Sequence, residues 1–388
     1  MHLDLDILFV VEDANLRGGT EILTFNLVHS LNTSGANVRV LSLVPYQGDE
    51  SSVISLSDSE YRKWSNLRNS FLDKLCFCLF SDFVLRKILR AKIRELRPQL
   101  LVNQTYDIIT ALPACENIAQ VFNWSIKGYE DSLLTSIEKK RGLSKILSLI
   151  AFKEISWRRH KALNRIPHMV VLSNAAKEEL KDLNTKVVNE QISVIPDPLM
   201  FSEDCQKTSS LGNKNIVYVG RLSHEKGVMR LLRIWGYISE ELPQYTLSIY
   251  GEGYAKGEME EFIRSHELKN ICFKGFCSNL DDIYSTADLL CMTSETEGFG
   301  MVLIEAMYYG VPCVSFDCPV SPKEIIADAG ITIPCFDERE YAKQVVALLK
   351  NPTAMEDLKE KCIKRAQCFF IEEIAEKWIE LKNKMTNN

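Results

Sequence analysis

The chain has 388 residues, a mean hydropathy of −0.08 and a 46% hydrophobic fraction, which is enough for two or three domains with cores of their own and excludes a disulfide-stapled peptide or extended disorder. The 46 basic side chains against 52 acidic ones leave a net charge of −6, which disfavours a general nucleic-acid binder. No apolar run reaches the roughly 18 residues of a membrane span, and the first six residues lack the basic start of a secretory signal, so a cytoplasmic protein is expected.

Residues 7–11 read as a first strand and, after a glycine turn, residues 21–31 as a helix. Strands are expected next at 38–44, 100–102, 118–122 and 168–172. A fresh start follows at 215–220, where a strand runs into a second glycine turn, and further strands are expected at 247–250, 271–273, 289–292 and 311–316. Short β-branched runs alternating with helical segments predict α/β architecture: two doubly wound, Rossmann-like domains facing across a cleft. The join is expected at Ile195, Pro196, Asp197 and Pro198 and the polar stretch after them, giving domains at 1–195 and 196–370 with a helix at 371–388 packing back on the first. The 12 cysteines form no Cys-x-x-Cys pair and are expected to be reduced, mostly buried thiols.

Two segments carry chemistry. The run S-E-T-E-G-F-G at 294–300 precedes a helical stretch through Met301 and Glu305, and glycines before a helix let a ligand approach its opening amides, which favour phosphate. Glu297 and Glu305 would lie about 12 Å apart along a continuous helix, but a loop at the first can turn both towards one extended polar ligand. The alternative is a helix cap followed by a solvent-facing glutamate. The second segment, 219–227, follows the strand opening the second half, and its Arg221 and Lys226 suit two negative phosphates. A solvated charged turn is the alternative there.

Taken in order, Gly18 and Gly19, Ser173, the Ile195, Pro196, Asp197 run, Gly220 and Arg221 with Lys226 and Gly227, the Y-G-E-G run at 250–253, and the paired glutamates resemble the retaining GT-B-fold glycosyltransferases of family 4. The resemblance spans residues 18 to about 333, and the stretch 316–322 with Glu324 is similar to the subgroup that builds bacterial exopolysaccharides and O-antigens. It implies that Glu305 binds the ribose of a nucleotide sugar, that Glu297 and the backbone of Phe299 and Gly300 hold the sugar, and that Arg221 and Lys226 neutralise the diphosphate. Gly18, Gly19, Gly298 and Met301 complete the implied donor site, with Gly19 allowing the N-terminal half to close over the diphosphate. The first domain would then bind acceptor and the second nucleotide sugar. No cofactor is implied, since the nucleotide sugar is a substrate. No metal is expected either: Asp4 and Asp6 precede the first strand, and no histidine has metal-ligand spacing.

Many family members carry a histidine after a mid-sheet strand of the first domain; here the corresponding stretch holds Asn123, a candidate sugar contact. Asp197 stands where the family commonly has Asn and is a second candidate contact. His29, on the first helix, is expected to pack or cap.

Charge is uneven. Residues 61–100 carry ten basic against three acidic groups, and residues 121–170 ten against four, with apolar Phe71, Leu72, Phe77, Leu79 and Phe80 in the first stretch. Such a surface can attract anionic lipid, and Arg86, Lys87 and Arg90 are expected to mark it; helices packed on the sheet are the alternative. The expected function is retaining transfer of a hexosyl or N-acetylhexosaminyl unit, from a UDP-sugar to a lipid-linked saccharide in bacterial surface polysaccharide synthesis. It would act peripherally at the inner face of the cytoplasmic membrane, against an anionic membrane surface and without nucleic acid. A catalytically silent partner subunit and a GT-B sugar-nucleotide epimerase remain alternatives. A dinucleotide oxidoreductase is disfavoured because Gly251, Gly253 and Gly257 miss the G-x-G-x-x-G spacing.

Overall fold

The computed structural model describes residues 6–16, 19–33, 35–70, 73, 76, 78–123, 125–182, 188–199, 208–320 and 322–386. The chain divides into two compact units, Met1–Pro196 with Ile374–Asn388, and Asp197–Glu373.

Unit 1 contains β1 (Asp6–Val11), α1 (Gly19–Thr33), β2 (Asn37–Ser42), β3 (Val53–Ser55), α2 (Asp58–Asn69), α3 (Leu79–Leu96), β4 (Leu100–Asn103), a 3₁₀ turn (Tyr106–Ala111), β5 (Ile118–Phe122), α4 (Ile126–Glu138), α5 (Gly142–Leu163), β6 (His168–Val171), α6 (Asn174–Asp182) and β7 (Ile192–Val194). Its strands pair in parallel in the order β3-β2-β1-β4-β5-β6-β7. Both faces of such a sheet are covered, so β1, β4, β5 and β6 are mostly apolar and almost wholly buried, with Asn103, Gln120 and His168 as buried polar exceptions.

Unit 2 contains β8 (Asn215–Val219), a 3₁₀ turn (His224–Lys226), α7 (Val228–Glu241), β9 (Thr246–Tyr250), α8 (Lys256–Ser265), β10 (Ile271–Gly275), α9 (Leu280–Tyr284), β11 (Leu289–Met292), α10 (Met301–Tyr308), β12 (Cys313–Phe316), α11 (Pro322–Ile326), β13 (Gly330–Ile333), α12 (Glu338–Leu349) and α13 (Pro352–Gln367). The parallel order is β10-β9-β8-β11-β12-β13. The helix α14 (Ile371–Thr386) leaves this unit and places Trp378 edge-on against Phe9 of β1, with ring centroids 5.4 Å apart. The unit's core gathers Trp235, Leu231 and Leu232 of α7 with Tyr341 and Val345 of α12 over β8, β9 and β11.

Three strands escape the sequence reading, β3, β7 and β13, and all three are sheet edges of three or four residues. A short, half-covered edge strand lacks the continuous apolar run that marks its neighbours. The expected strand at 311–316 begins only at Cys313, because Gly310 turns the chain at φ +68° and Pro312 precedes the ladder. The cysteines need correction too: Cys291, Cys313, Cys318 and Cys362 are buried, but Cys335 and Cys368 are exposed and the other described ones only partly covered. His29 neither packs nor caps by its ring; it stands exposed on α1.

Candidate active site

In both sheets the chain order reverses beside the first strand of the unit, so β1 adjoins β4 and β8 adjoins β11. Loops leaving the carboxyl ends at such a switch point diverge to opposite faces and open a crevice. In unit 2 the loops after β8 and β11 are the two chemical segments of the sequence, brought together because Leu289 pairs with Ile216.

Backbone contacts lock these loops to each other. The Glu295 amide donates to the Glu225 carbonyl at 2.9 Å, and the Thr293 hydroxyl donates to the carbonyls of Lys226 and Gly227 at 3.2 and 3.1 Å. Gly227 adopts φ +65°, and a Cβ there would sit 1.9 Å from the Thr293 carbonyl oxygen, so only glycine permits the approach. The Lys226 ammonium thereby reaches Glu297, donating to both carboxylate oxygens at 2.7 and 2.8 Å, while Ser294 donates its hydroxyl to Oε1 at 2.6 Å. Arg221 behaves differently. Its side chain is 70% exposed and lies 3.8 Å from Glu225, leaving a guanidinium open to a ligand.

The Y-G-E-G run has a structural task that spacing alone could not reveal. Gly251 and Gly253 let the loop after β9 press against the loop after β8, since a Cβ on either would meet the Gly220 or Leu222 carbonyl at 1.9 or 2.2 Å. Tyr254 continues the contact, accepting from the His224 amide at 3.0 Å and donating to Glu225 at 3.2 Å. These glycines serve close packing of two loops.

Gly300 caps α10 with φ +104°, and Phe299 turns its ring into the core, edge-on to Phe369 at 5.8 Å. The backbone at 299 and 300 is thus anchored by a buried ring at the positive end of a helix three residues beyond Glu297. Met301 opens α10 and is partly exposed, as is Gly298. Glu305 stands one turn further along α10. Burial pushes its carboxyl up to about 7, opposed by the Tyr284 hydroxyl, which donates to Oε2 at 3.2 Å. Tyr284, buried at the end of α9, was missed by sequence reasoning: it lies 21 residues from its partner and belongs to no motif.

The remaining candidates are dispersed along the chain. Gly18 and Trp124 lie outside the described residues, and Gly19 is the first residue of α1. Asn123 directly follows β5 and is partly exposed. Ser173 caps α6, accepting from the Ala176 amide at 3.1 Å. Asp197 is the first residue of unit 2, and burial raises its carboxyl to about 7. Among the described residues no cluster of three His, Cys, Asp or Glu groups could hold a metal ion.

Residues 202–368 match the family model described as glycosyl transferases group 1. An uncharacterized glycosyltransferase of Haemophilus influenzae is 24% identical over 381 residues, 95% of this chain and 98% of that protein. A Campylobacter jejuni α-1,4-N-acetyl-D-galactosaminyltransferase, named for a GalNAc-containing diNAcBac-PP-undecaprenol substrate, is 29% identical over 202 residues, 51% of this chain and 56% of that protein. The crystal structure of a Staphylococcus aureus TarM mutant, in complex with fondaparinux, α-GlcNAc-glycerol and UDP, superposes with a TM-score of 0.70 at 14% identity, covering 98% of this chain and all of that one. With two parallel Rossmann-like sheets the chain has the GT-B fold, and its second unit carries the segment that matches the group 1 glycosyl transferases.

Proposed function

We propose that the protein transfers a hexosyl or N-acetylhexosaminyl unit from a UDP-sugar to a lipid-linked saccharide during synthesis of a bacterial surface polysaccharide, retaining the anomeric configuration. Unit 2 binds the donor and unit 1 the acceptor. The observation that carries this reading is the locked pair of switch-point loops, which sets Lys226 on Glu297 beside the start of α10. The Campylobacter relative, named for an undecaprenol-linked saccharide, and the TarM complex with UDP support the choice of substrates.

In this reading Arg221 and Lys226 meet the diphosphate, where charge builds as the glycosidic bond breaks, and no metal ion is needed to neutralise it. Glu305 accepts the ribose hydroxyls. Glu297, with the backbone of Gly298, Phe299, Gly300 and Met301, holds the sugar. Asn123 and Asp197 contact the sugar or acceptor. The acceptor hydroxyl attacks from the face the leaving group vacates, giving its proton to the departing phosphate oxygen. The enzyme works peripherally at the inner face of the cytoplasmic membrane.

A panel of nucleotide sugars, first by thermal stabilisation and then by transfer to a lipid-linked saccharide, tests the proposal. A ligand at 100 times its Kd should stabilise the protein by about 2.7 kcal/mol, and NMR of the product should show the donor's anomeric configuration. Inversion, a sugar product formed without any acceptor, or no stabilisation by any nucleotide sugar would overturn it.

A further inference from the structure

The sequence placed lipid contact around Arg86, Lys87 and Arg90, and the structure moves it. Arg86 turns inward and donates to the Thr110 carbonyl, whereas Lys87 lies over the Phe83 ring, its ammonium 4.5 Å from the centroid. Of the apolar residues expected there, Phe71, Leu72 and Phe77 lie outside the described residues, while Leu79 and Phe80 of α3 are more than half exposed, as is Phe83, which was not expected. The larger surface is on α5. Leu143, Ile146, Leu147, Ile150 and Trp157 recur at helical spacing and are all more than half exposed.

Cations border this stripe. Lys139, Lys140 and Arg141 precede it, Lys153 and Lys161 are exposed along it, and the Lys161 ammonium sits 4.9 Å from the Trp157 ring centroid. The far side of α5 is committed to the fold through Arg159, which bonds Asp107, and at the edge of the stripe Arg158 bonds Asp82 of α3 at 2.5 Å. The Asp82 bond links the two helices at one point, with Phe83 and Trp157 adjacent in sequence to its two ends. Exposed apolar side chains in a run this long mark an interaction surface.

We infer that α5, with the first turn of α3, lies flat on an anionic bilayer, its apolar stripe sunk among the head groups and its lysines on lipid phosphates. This rests on the reading of a membrane-borne acceptor and names how the enzyme reaches it. Charge complementarity selects lipid: the cations are on the rim of an aliphatic stripe, the arrangement of interfacial helices, and a tryptophan beside a lysine suits the boundary between head groups and chains. No helix among the described residues is long and apolar enough to cross a membrane, so the helix rests on the surface.

The test uses the full chain with vesicles of phosphatidylcholine alone or mixed with phosphatidylglycerol, without any acceptor. The protein should pellet with the anionic vesicles, and its tryptophan emission should shift to the blue. Trp157→Phe should diminish that shift, because among the described tryptophans Trp64, Trp235 and Trp378 are already buried. The double substitution Ile146→Ser with Ile150→Ser should lower the partition constant by about ten-fold or more, leaving UDP binding and transfer to a water-soluble acceptor unchanged. Raising the salt from 0.1 to 1 M shortens the Debye length from about 10 to about 3 Å and should weaken binding without abolishing it. Absence of pelleting, undiminished binding by the double variant, or a dimer that the double variant dissociates would overturn the docking. Failure of the wild type to bind UDP or to transfer to a soluble acceptor would instead strike the proposed function, while leaving vesicle binding to be read on its own.

Discussion

Burial raises the Glu305 carboxyl from an ordinary 4.5 to about 7, and under the proposed function nucleotide binding should depend on pH there. By itself the shift makes the fold less stable as pH rises through that window. Ribose hydroxyls donating to it favour the ionised form, so its pKa falls on binding and a proton leaves. Affinity for UDP should therefore rise with pH through about 7, and calorimetry in buffers of different ionisation enthalpy should detect the released proton. The phosphates of UDP titrate nearby, so Glu305→Gln is the control: an unchanged pH profile in that variant would remove Glu305 from the site. The neighbouring positions differ in kind. Arg221 faces solvent, so Arg221→Ala should fold normally yet lose at least about ten-fold in turnover, about 1.4 kcal/mol, while a chelator should leave most of the wild-type rate. Rescue of a chelated enzyme by manganese or magnesium would overturn the metal-independent reading. The motif singled out Glu305, but its raised pKa comes from burial in the folded unit, and the Tyr284 hydroxyl that opposes the rise makes a contact 21 residues apart that no local pattern encodes.

At the scale of elements, three loops carry the site and glycines set their spacing. Gly251→Ala would drive a methyl into the Gly220 carbonyl, and Gly227→Ala into the Thr293 carbonyl; both also hold positive φ. Each should cost about 2 kcal/mol or more in a denaturant titration and weaken UDP binding, since the loops must separate. Gly257→Ala is the internal contrast. It stands in α8 with nothing within 4 Å, so it should be neutral or stabilising by up to about 1 kcal/mol. Equal losses at all three glycines would mean the loop contacts are not what constrains them. The central strands were legible because a parallel sheet buries both faces and writes itself as an apolar run; β3, β7 and β13, at the edges, were not.

Over the whole molecule the two units have separate cores, and the loops proposed to bind donor belong to one of them. Hydrogen exchange should therefore show UDP protecting residues 220–227, 251–254 and 293–305, with no matching protection in α5. Protection confined to unit 1 would reverse the assignment of donor and acceptor. The sequence by itself determined the two-unit α/β plan, the strands at the sheet centres and the identity of Arg221, Lys226, Glu297 and Glu305, because buried periodicity and glycine punctuation are local properties of a chain. Only the tertiary structure decided that Lys226 is bonded to Glu297 while Arg221 stays open, and that the Y-G-E-G glycines serve loop packing. It also turned Arg86 inward and left the apolar stripe of α5 outside. Those outcomes depend on which faces of distant segments meet, and residues 71 positions apart, as Lys226 and Glu297 are, carry no mark of that meeting until strand pairing sets β8 beside β11.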